Sequence, residues 1–141
     1  MPNYRFPPWR GPQTPLAPLG TLRVQWNGRN ETVQALLDTG ADYTQIPLSI
    51  ARALGLRKVG EREIIYADGI PRLESHKSPT YRADVEFDGA VFRGVLVSGD
   101  DSFTPNGEPW ALIGRDILNR AVVLDGPRRV YTVTPDASTA R

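Results

Sequence analysis

The amino-acid sequence predicts a mostly-β domain, a compact barrel or sandwich, from three observations. Asn-Gly or Asp-Gly pairs, which favour tight hairpin turns, recur at Asn27, Asp68 and Asp88. The segments around these pairs alternate apolar and polar residues, as half-buried strands do. The chain also has 13 glycines and 13 prolines among many β-branched and aromatic residues, which favours short strands joined by tight turns.

About eight or nine strands and one or two short helices are expected along the chain. Ten segments are candidates for these strands: 21–26, 31–37, 43–46, 62–67, 71–76, 80–87, 91–97, 110–114, 121–125 and 129–133. The segment 47–56 predicts a helix, because Pro47 suits its first turn and Gly55 suits its C-terminal cap. The segment 115–120 predicts a further helical turn or two.

The beginning of the chain differs in composition from the rest. Its first 20 residues hold six prolines and are interpreted as an extended or disordered arm. Alternatively, this arm packs along the domain through Tyr4, Phe6 and Trp9. The chain is therefore divided into a proline-rich arm, a folded domain and a flexible tail, at residues 1–20, 21–133 and 134–141.

The composition argues against several function classes. The chain has no cysteine, which excludes structural disulfides, thiolate metal sites and a cysteine nucleophile. Its net charge of +1 provides no basic field for nucleic acid, and no apolar run of about 18 residues is present to span a membrane. No secretory signal is visible, so a cytoplasmic location is expected. The one histidine, His76, has no nucleophile-elbow motif near it, and no metal-ligand spacing occurs.

One aspartate, Asp38, directly follows an apolar segment at 35–37. A carboxylate at the end of a packed strand is costly unless it is paired or used. Thr39 adds a hydroxyl donor, and Gly40 permits a tight turn and the close approach of another chain. Two such carboxylates about 3 Å apart share one proton, so one can activate water while the other protonates a scissile carbonyl. Asp38 is therefore the candidate catalytic residue.

Two segments resemble the signatures of the retropepsin-type aspartic proteases. LLDTGADYTQIP at 36–47 is similar to the catalytic loop of that family, and ALIGRDILNRAVVLD at 111–125 is similar to its second signature. They occur in the family's order, with the Asp68-Gly69 hairpin between them where that family has its flap. The resemblance covers about residues 21–133. It implies a closed β-barrel acid-protease fold with one or two short helices, and aspartic endopeptidase activity.

The resemblance assigns a role to each matching residue of the first signature. Asp38 matches the catalytic aspartate, and Thr39 matches the threonine whose hydroxyl group bonds across a dimer. Gly40 matches the glycine that begins the substrate-contacting backbone. Ala41 and Asp42 match residues beside the peptide-binding cleft.

The same resemblance assigns two further elements. Arg115 matches a helix arginine that pairs with the aspartate after the catalytic loop, so an Asp42–Arg115 ion pair is expected. Asp68, Gly69 and Ile70 match the flap and are expected to contact the substrate.

The chain carries one Asp-Thr-Gly triplet, whereas a dyad needs two aspartates. The resemblance therefore implies a C2 homodimer in which each subunit supplies one Asp38. The expected partners are a second copy of the chain and a peptide or protein substrate, bound as an extended strand between flaps and catalytic loops. No cofactor, metal, nucleic acid or membrane is expected to take part.

Two other interpretations stay open. The same fold can serve as a non-catalytic peptide-binding or scaffold module, although the intact Asp38-Thr39-Gly40 triplet favours catalysis. Alternatively, the chain is a protease segment of a larger polyprotein with its proline-rich arm as a linker, although Met1 favours an independent chain.

Overall fold

The computed structural model describes residues 3–8, 16–66 and 74–134. The ten strands in this part of the chain are β1 (Asn3–Arg5), β2 (Leu19–Trp26), β3 (Arg29–Leu37), β4 (Gln45–Ile46), β5 (Lys58–Tyr66), β6 (Glu74–Phe87), β7 (Ala90–Gly99), β8 (Ala111–Ile113), β9 (Val122–Asp125) and β10 (Val130–Val133). The helices are α1 (Leu48–Leu54) and α2 (Arg115–Ala121). The prediction of a mostly-β fold with one or two short helices is confirmed.

Seven strands form one sheet in the order β2-β3-β8-β4-β7-β6-β5. A further antiparallel pairing joins β2 to β6, with Leu22 opposite Phe87 and Gln25 opposite Asp84. Because β2 and β6 are the first and sixth strands in that order, their pairing closes six strands into a barrel. The closed β-barrel implied by the resemblance is therefore confirmed, and β5 continues the sheet beyond the closure.

The longest strand, β6, joins residues 74–76 of the strand predicted at 71–76 to the strand predicted at 80–87, whereas residues 71–73 lie outside the described residues. It is continuous over 14 residues and carries Pro79 in its interior, opposite Glu61 of β5. Its first part pairs with β5, and its second part pairs with β7 and β2. Proline removes one backbone donor from such a ladder, and the pairing on either side of Pro79 continues the strand through it.

Helix α1 follows the predicted start and stop signals. Pro47 precedes its first residue, and Gly55 ends it with a φ of 66°. This left-handed conformation suits glycine and lets its N–H reach the last helical carbonyls, those of Ala51 and Arg52. The helix buries Ile50 and Leu54 along one face, which packs it on the barrel.

The core fills the barrel with side chains from alternate strand positions. On β2, Leu22 and Val24 are fully buried, whereas Arg23 between them is half-buried. Helix α2 adds Ile117 to the same cluster. The largest fully buried side chains are Tyr131, Phe87, Phe92, Leu22, Ile46, Ile113 and Ile117.

A second sheet, here called the terminal sheet, joins both ends of the described chain in the order β1-β10-β9. Both of its pairings are antiparallel. Tyr4 stacks on Tyr131 with ring centroids 5.0 Å apart, and Phe6 lies 6.3 Å from the same ring. Tyr4 and Phe6 of the proline-rich arm therefore pack on the domain. Trp9 lies outside the described residues, as do residues 135–141 of the predicted tail.

Tyr131 also ties the terminal sheet to the barrel. Its ring lies 5.7 Å from that of Phe87, and its hydroxyl group lies 2.6 Å from Asp88 Oδ2 and 3.1 Å from the carbonyl oxygen of Leu19. Burial raises the pKa of Asp88, and the hydrogen bond from Tyr131 opposes that rise. Burial and the nearby carboxylate likewise raise the pKa of Tyr131.

Candidate active site

Strand β3 carries Asp38 to the edge of the barrel. Leu37, the last residue of β3, is only 3% exposed and pairs with Ile113 of the parallel strand β8. The N–H of Asp38 then donates to the carbonyl oxygen of Ile113 over 2.9 Å. The backbone of Asp38 is therefore fixed by a buried neighbour strand, while its side chain is half-buried.

The turn after Asp38 holds its carboxylate. The N–H of Gly40 donates to Asp38 Oδ1 over 2.9 Å, and the N–H of Ala41 donates to the carbonyl oxygen of Asp38 over 3.1 Å. A Cβ at position 40 would lie 3.2 Å from Asp38 Oδ1, tighter than ordinary contact. Glycine therefore permits this close approach. Thr39 and Gly40 are exposed, so the carboxylate lies beside an accessible backbone.

The structure brings Asp42 and Arg115 together. Arg115 Nη2 donates to Asp42 Oδ1 in an exposed ion pair. Beside this ion pair, the N–H of Arg115 donates to the carbonyl oxygen of Ala41 over 2.8 Å. Residues 38–44, here called the Asp38 loop, are therefore attached to the first turn of α2 by both backbone and side chain.

Sequence reasoning missed a second attachment, between Thr44 and Asp116. Thr44 is fully buried; its hydroxyl group donates to Asp116 Oδ1 over 2.8 Å and its N–H donates to Asp116 Oδ2 over 3.1 Å. The same hydroxyl oxygen accepts the N–H of Gly114 over 3.2 Å. A signal was present, since Thr44 and Asp116 lie within the two signatures that Asp42 and Arg115 already connect.

Close packing at Gly114 completes this junction. A Cβ at this position would lie 2.6 Å from the carbonyl carbon of Tyr43, which is backbone and cannot rotate away. The N-terminus of α2 therefore sits directly against the end of the Asp38 loop only because residue 114 is a glycine.

Asp68, Gly69 and Ile70, predicted to contact the substrate, lie outside the described residues. The strands that lead to them are antiparallel neighbours, with Tyr66 of β5 opposite Glu74 of β6. These strands therefore have the relative direction that a hairpin requires.

The described residues contain no group of three or more His, Asp or Glu side chains placed to hold a metal ion. Within the same part of the chain, neither helix has the length and apolar character needed to cross a membrane. The side chain of His76 is not among those described.

Comparison with known protein families gives one match over most of the chain. Residues 22–120 match the family described as "gag-polyprotein putative aspartyl protease". This span includes the Asp38 loop, both strands that lead toward residues 67–73, and nearly all of α2. A comparison with curated proteins found no match. A closed barrel that presents Asp-Thr-Gly beside a glycine–arginine helix start agrees with the family match, and the chain belongs to this retroviral-type aspartyl protease family.

Proposed function

We propose that the protein is an aspartic endopeptidase that acts as a C2 homodimer. The observation that carries the proposal is the placement of Asp38 at the end of a buried strand, its carboxylate held by the N–H of Gly40 over 2.9 Å. Together with membership of an aspartyl protease family, this placement supports a catalytic role for the Asp38 carboxylate.

The proposed reaction needs two such carboxylates. When two Asp38 side chains meet across a two-fold axis, repulsion prevents both from ionising, so the pair holds one proton. The ionised member accepts a proton from a water molecule, whose oxygen then attacks the scissile carbonyl carbon. The protonated member donates to the carbonyl oxygen. A proton then passes to the leaving amine, and the C–N bond breaks.

Exposure of the loop and of two strand edges supports a dimer. Thr39 is exposed at the tip of the Asp38 loop, where its hydroxyl group would reach the partner's loop. In the described part of the chain, β10 has a neighbour on each side, which leaves β1 and β9 as the edges of the terminal sheet. Val123 on β9 is 61% exposed. Unpaired strand edges that carry apolar side chains are suited to pairing with another chain.

In this proposal the substrate is an extended peptide. Ala41 and Asp42 would contact one side of the peptide. The hairpin with Asp68, Gly69 and Ile70 would cover its opposite side. Backbone groups on both sides would bond the peptide as an added strand. A non-catalytic peptide-binding module is the competing function, and it differs in one measurable respect: it binds peptides without cutting them.

The test is cleavage of a mixed peptide pool by the purified chain between about pH 3 and 7, followed by mass spectrometry. We expect cleavage that a pepstatin-like inhibitor blocks and that Asp38→Asn reduces by at least about a thousandfold. Asp101→Asn is the matched control, because Asp101 is exposed and an asparagine can still accept the N–H of Leu48. Peptide binding without cleavage at every pH, unchanged by Asp38→Asn, would show the non-catalytic function instead.

A further inference from the structure

A pocket rich in arginine opens where the Asp38 loop ends. Its volume is about 290 Å³. Four arginines and one carboxylate line it beside an aromatic ring: Arg62, Arg82, Arg93, Arg120, Asp116 and Tyr43. Four positive charges against one negative charge leave an excess of three among these side chains. A concave site with this excess attracts anions.

Arg62 is the least satisfied of these cations. Its guanidinium group lies 3.7 Å from the centre of the Tyr43 ring, a cation–π contact. Its Nη1 atom is buried, and no described residue accepts a hydrogen bond from it. A buried donor without an acceptor is costly, so an anionic acceptor at this position would be favourable. Burial also lowers the pKa of Arg62, which agrees with a charge removed from water.

The carboxylate in the pocket is already engaged. Asp116 accepts hydrogen bonds from Thr44 through both of its oxygens and from the N–H of Ile117. Three neutral donors therefore bind the Asp116 carboxylate. Among the described side chains, no arginine forms an ion pair with it. It lowers the local potential without supplying the acceptor that Arg62 lacks.

The other three arginines of the pocket differ in the polar contacts that they already make. Arg82 donates to the carbonyl oxygen of Gly94 over 2.9 Å, and Arg93 lies 3.7 Å from Asp84. Arg120 lies with its guanidinium 5.0 Å from the Phe92 ring. Arg62 and Arg120 are thus the two cations of the pocket best placed to donate hydrogen bonds to a new anionic partner.

We propose that this arginine pocket binds an acidic side chain of the peptide substrate and so selects acidic residues at one end of the cleft. The pocket has one wall from the Asp38 loop, since Tyr43 directly follows Asp42. Strand β5, which leads toward the predicted flap, contributes Arg62 to the lining. A peptide held between loop and flap would therefore extend past the pocket. Planar guanidinium groups match carboxylate oxygens in pairs.

This inference rests on the proposed peptide cleft, and the test uses the Asp38→Asn variant so that binding is measured without cleavage. Two pools of fluorescent decapeptides share a central apolar pair and differ only in Glu or Gln at the positions three to five residues from it. A third pool carries phosphoserine there, because a phosphate shares the oxyanion chemistry. Fluorescence anisotropy measures the affinity of each pool.

We expect the Glu pool to bind at least about tenfold more tightly than the Gln pool. Arg62→Gln should remove most of this preference, and Arg120→Gln should reduce it. Arg128→Gln is the control, because this arginine is 80% exposed in the turn between β9 and β10 and does not line the pocket. The comparison of the Glu and Gln pools uses a protein with an unaltered pocket, so it does not depend on whether the pocket variants fold.

Equal affinity for the Glu and Gln pools would overturn the inference, and so would a Glu preference that survives both pocket substitutions. A preference for phosphoserine alone would overturn the acidic-residue assignment in favour of a phosphorylated partner. Cleavage of the Gln pool by the unmodified chain tests the proposed function separately. If that pool is cut without any Glu preference, only the pocket assignment fails. If nothing is cut while the Glu preference holds, the pocket stands and the protease proposal fails.

Discussion

Thr44 donates its hydroxyl hydrogen to Asp116 Oδ1 over 2.8 Å, which joins two residues 72 positions apart in the chain. With Thr44 fully buried, this bond fixes the end of the Asp38 loop to the first turn of α2. Asp42 and Arg115 make the neighbouring attachment at the surface. Of these two side-chain contacts, the Thr44–Asp116 contact is part-buried and the Asp42–Arg115 pair is exposed, so their energies differ.

Thr44→Val should lower the free energy of unfolding by about 2–3 kcal/mol, because it removes a hydrogen bond to a carboxylate and leaves Asp116 and the N–H of Gly114 short of a partner. Urea titration measures the change. Thr44→Ser keeps the hydroxyl group and loses only a buried methyl group, so we expect a loss of about 1 kcal/mol. Equal losses for valine and serine would show that the hydrogen bond contributes nothing.

Arg115→Gln should change the free energy of unfolding by less than about 1 kcal/mol, since exposed ion pairs contribute little. The side chains of Arg115 and Asp42 are 49% and 66% exposed. Cleavage should nevertheless fall by at least about tenfold in kcat/KM, because the loop beside Asp38 loses a positioning contact. Arg128→Gln, in a comparably exposed pair with Asp125, should alter neither quantity. If the two variants cleave equally well, the pair does not position the loop.

Gly114→Ala should destabilise the protein by about 1–3 kcal/mol, because its Cβ would press into the backbone of Tyr43 at 2.6 Å. Gly126→Ala is the matched control, since nothing lies within 4 Å of a Cβ built there and its φ is outside the left-handed region. We expect the control to shift stability by no more than about 0.5 kcal/mol. Thermal unfolding of both variants decides the comparison.

Asp88 should make stability fall as pH rises. Its folded-state pKa is raised above 3.8 by burial, so the folded protein binds this proton more tightly than the unfolded chain. The stability from that proton is present below pH 3.8 and is lost as pH rises through the raised value. In urea titrations, the free energy of unfolding of the native protein relative to Asp88→Asn should therefore decrease as pH rises from below 3.8 through the raised pKa.

Asparagine is a suitable replacement there, because Asp88 has a positive φ of 47° that asparagine also adopts readily. The hydroxyl group of Tyr131 can serve either protonation state, since it has one proton and faces two acceptors, Asp88 Oδ2 and the carbonyl oxygen of Leu19. A stability difference that grows with pH would contradict the raised pKa.

Elements that depend on neighbours in sequence could be predicted. The hairpin at Asp88-Gly89 and the end of α1 at Gly55 follow from turn chemistry and from the spacing of apolar residues. The continuity of β6 could not, because Pro79 suggests a break and only pairing with three other strands continues the ladder through it.

Contacts between distant residues were less accessible from sequence. The Asp42–Arg115 pair was expected only through resemblance to a family, since it depends on β3 and β8 lying side by side in parallel. Thr44–Asp116 depends on the same adjacency and on burial that no local pattern reveals. The arginine pocket brings residues from β5, β6, β7 and α2 together, so no local stretch of the sequence reveals its concentration of positive charge.

The pairing of β10 on both sides bears on how two copies of the chain would meet. Since β1 and β9 flank β10 within one chain, the terminal sheet of the described chain forms without a strand from a second copy. Two such subunits of the proposed homodimer would dock without either refolding around the other. In the proposed homodimer, dilution would separate subunits that stay folded, so the amount of enzyme would itself act as a reversible switch on activity.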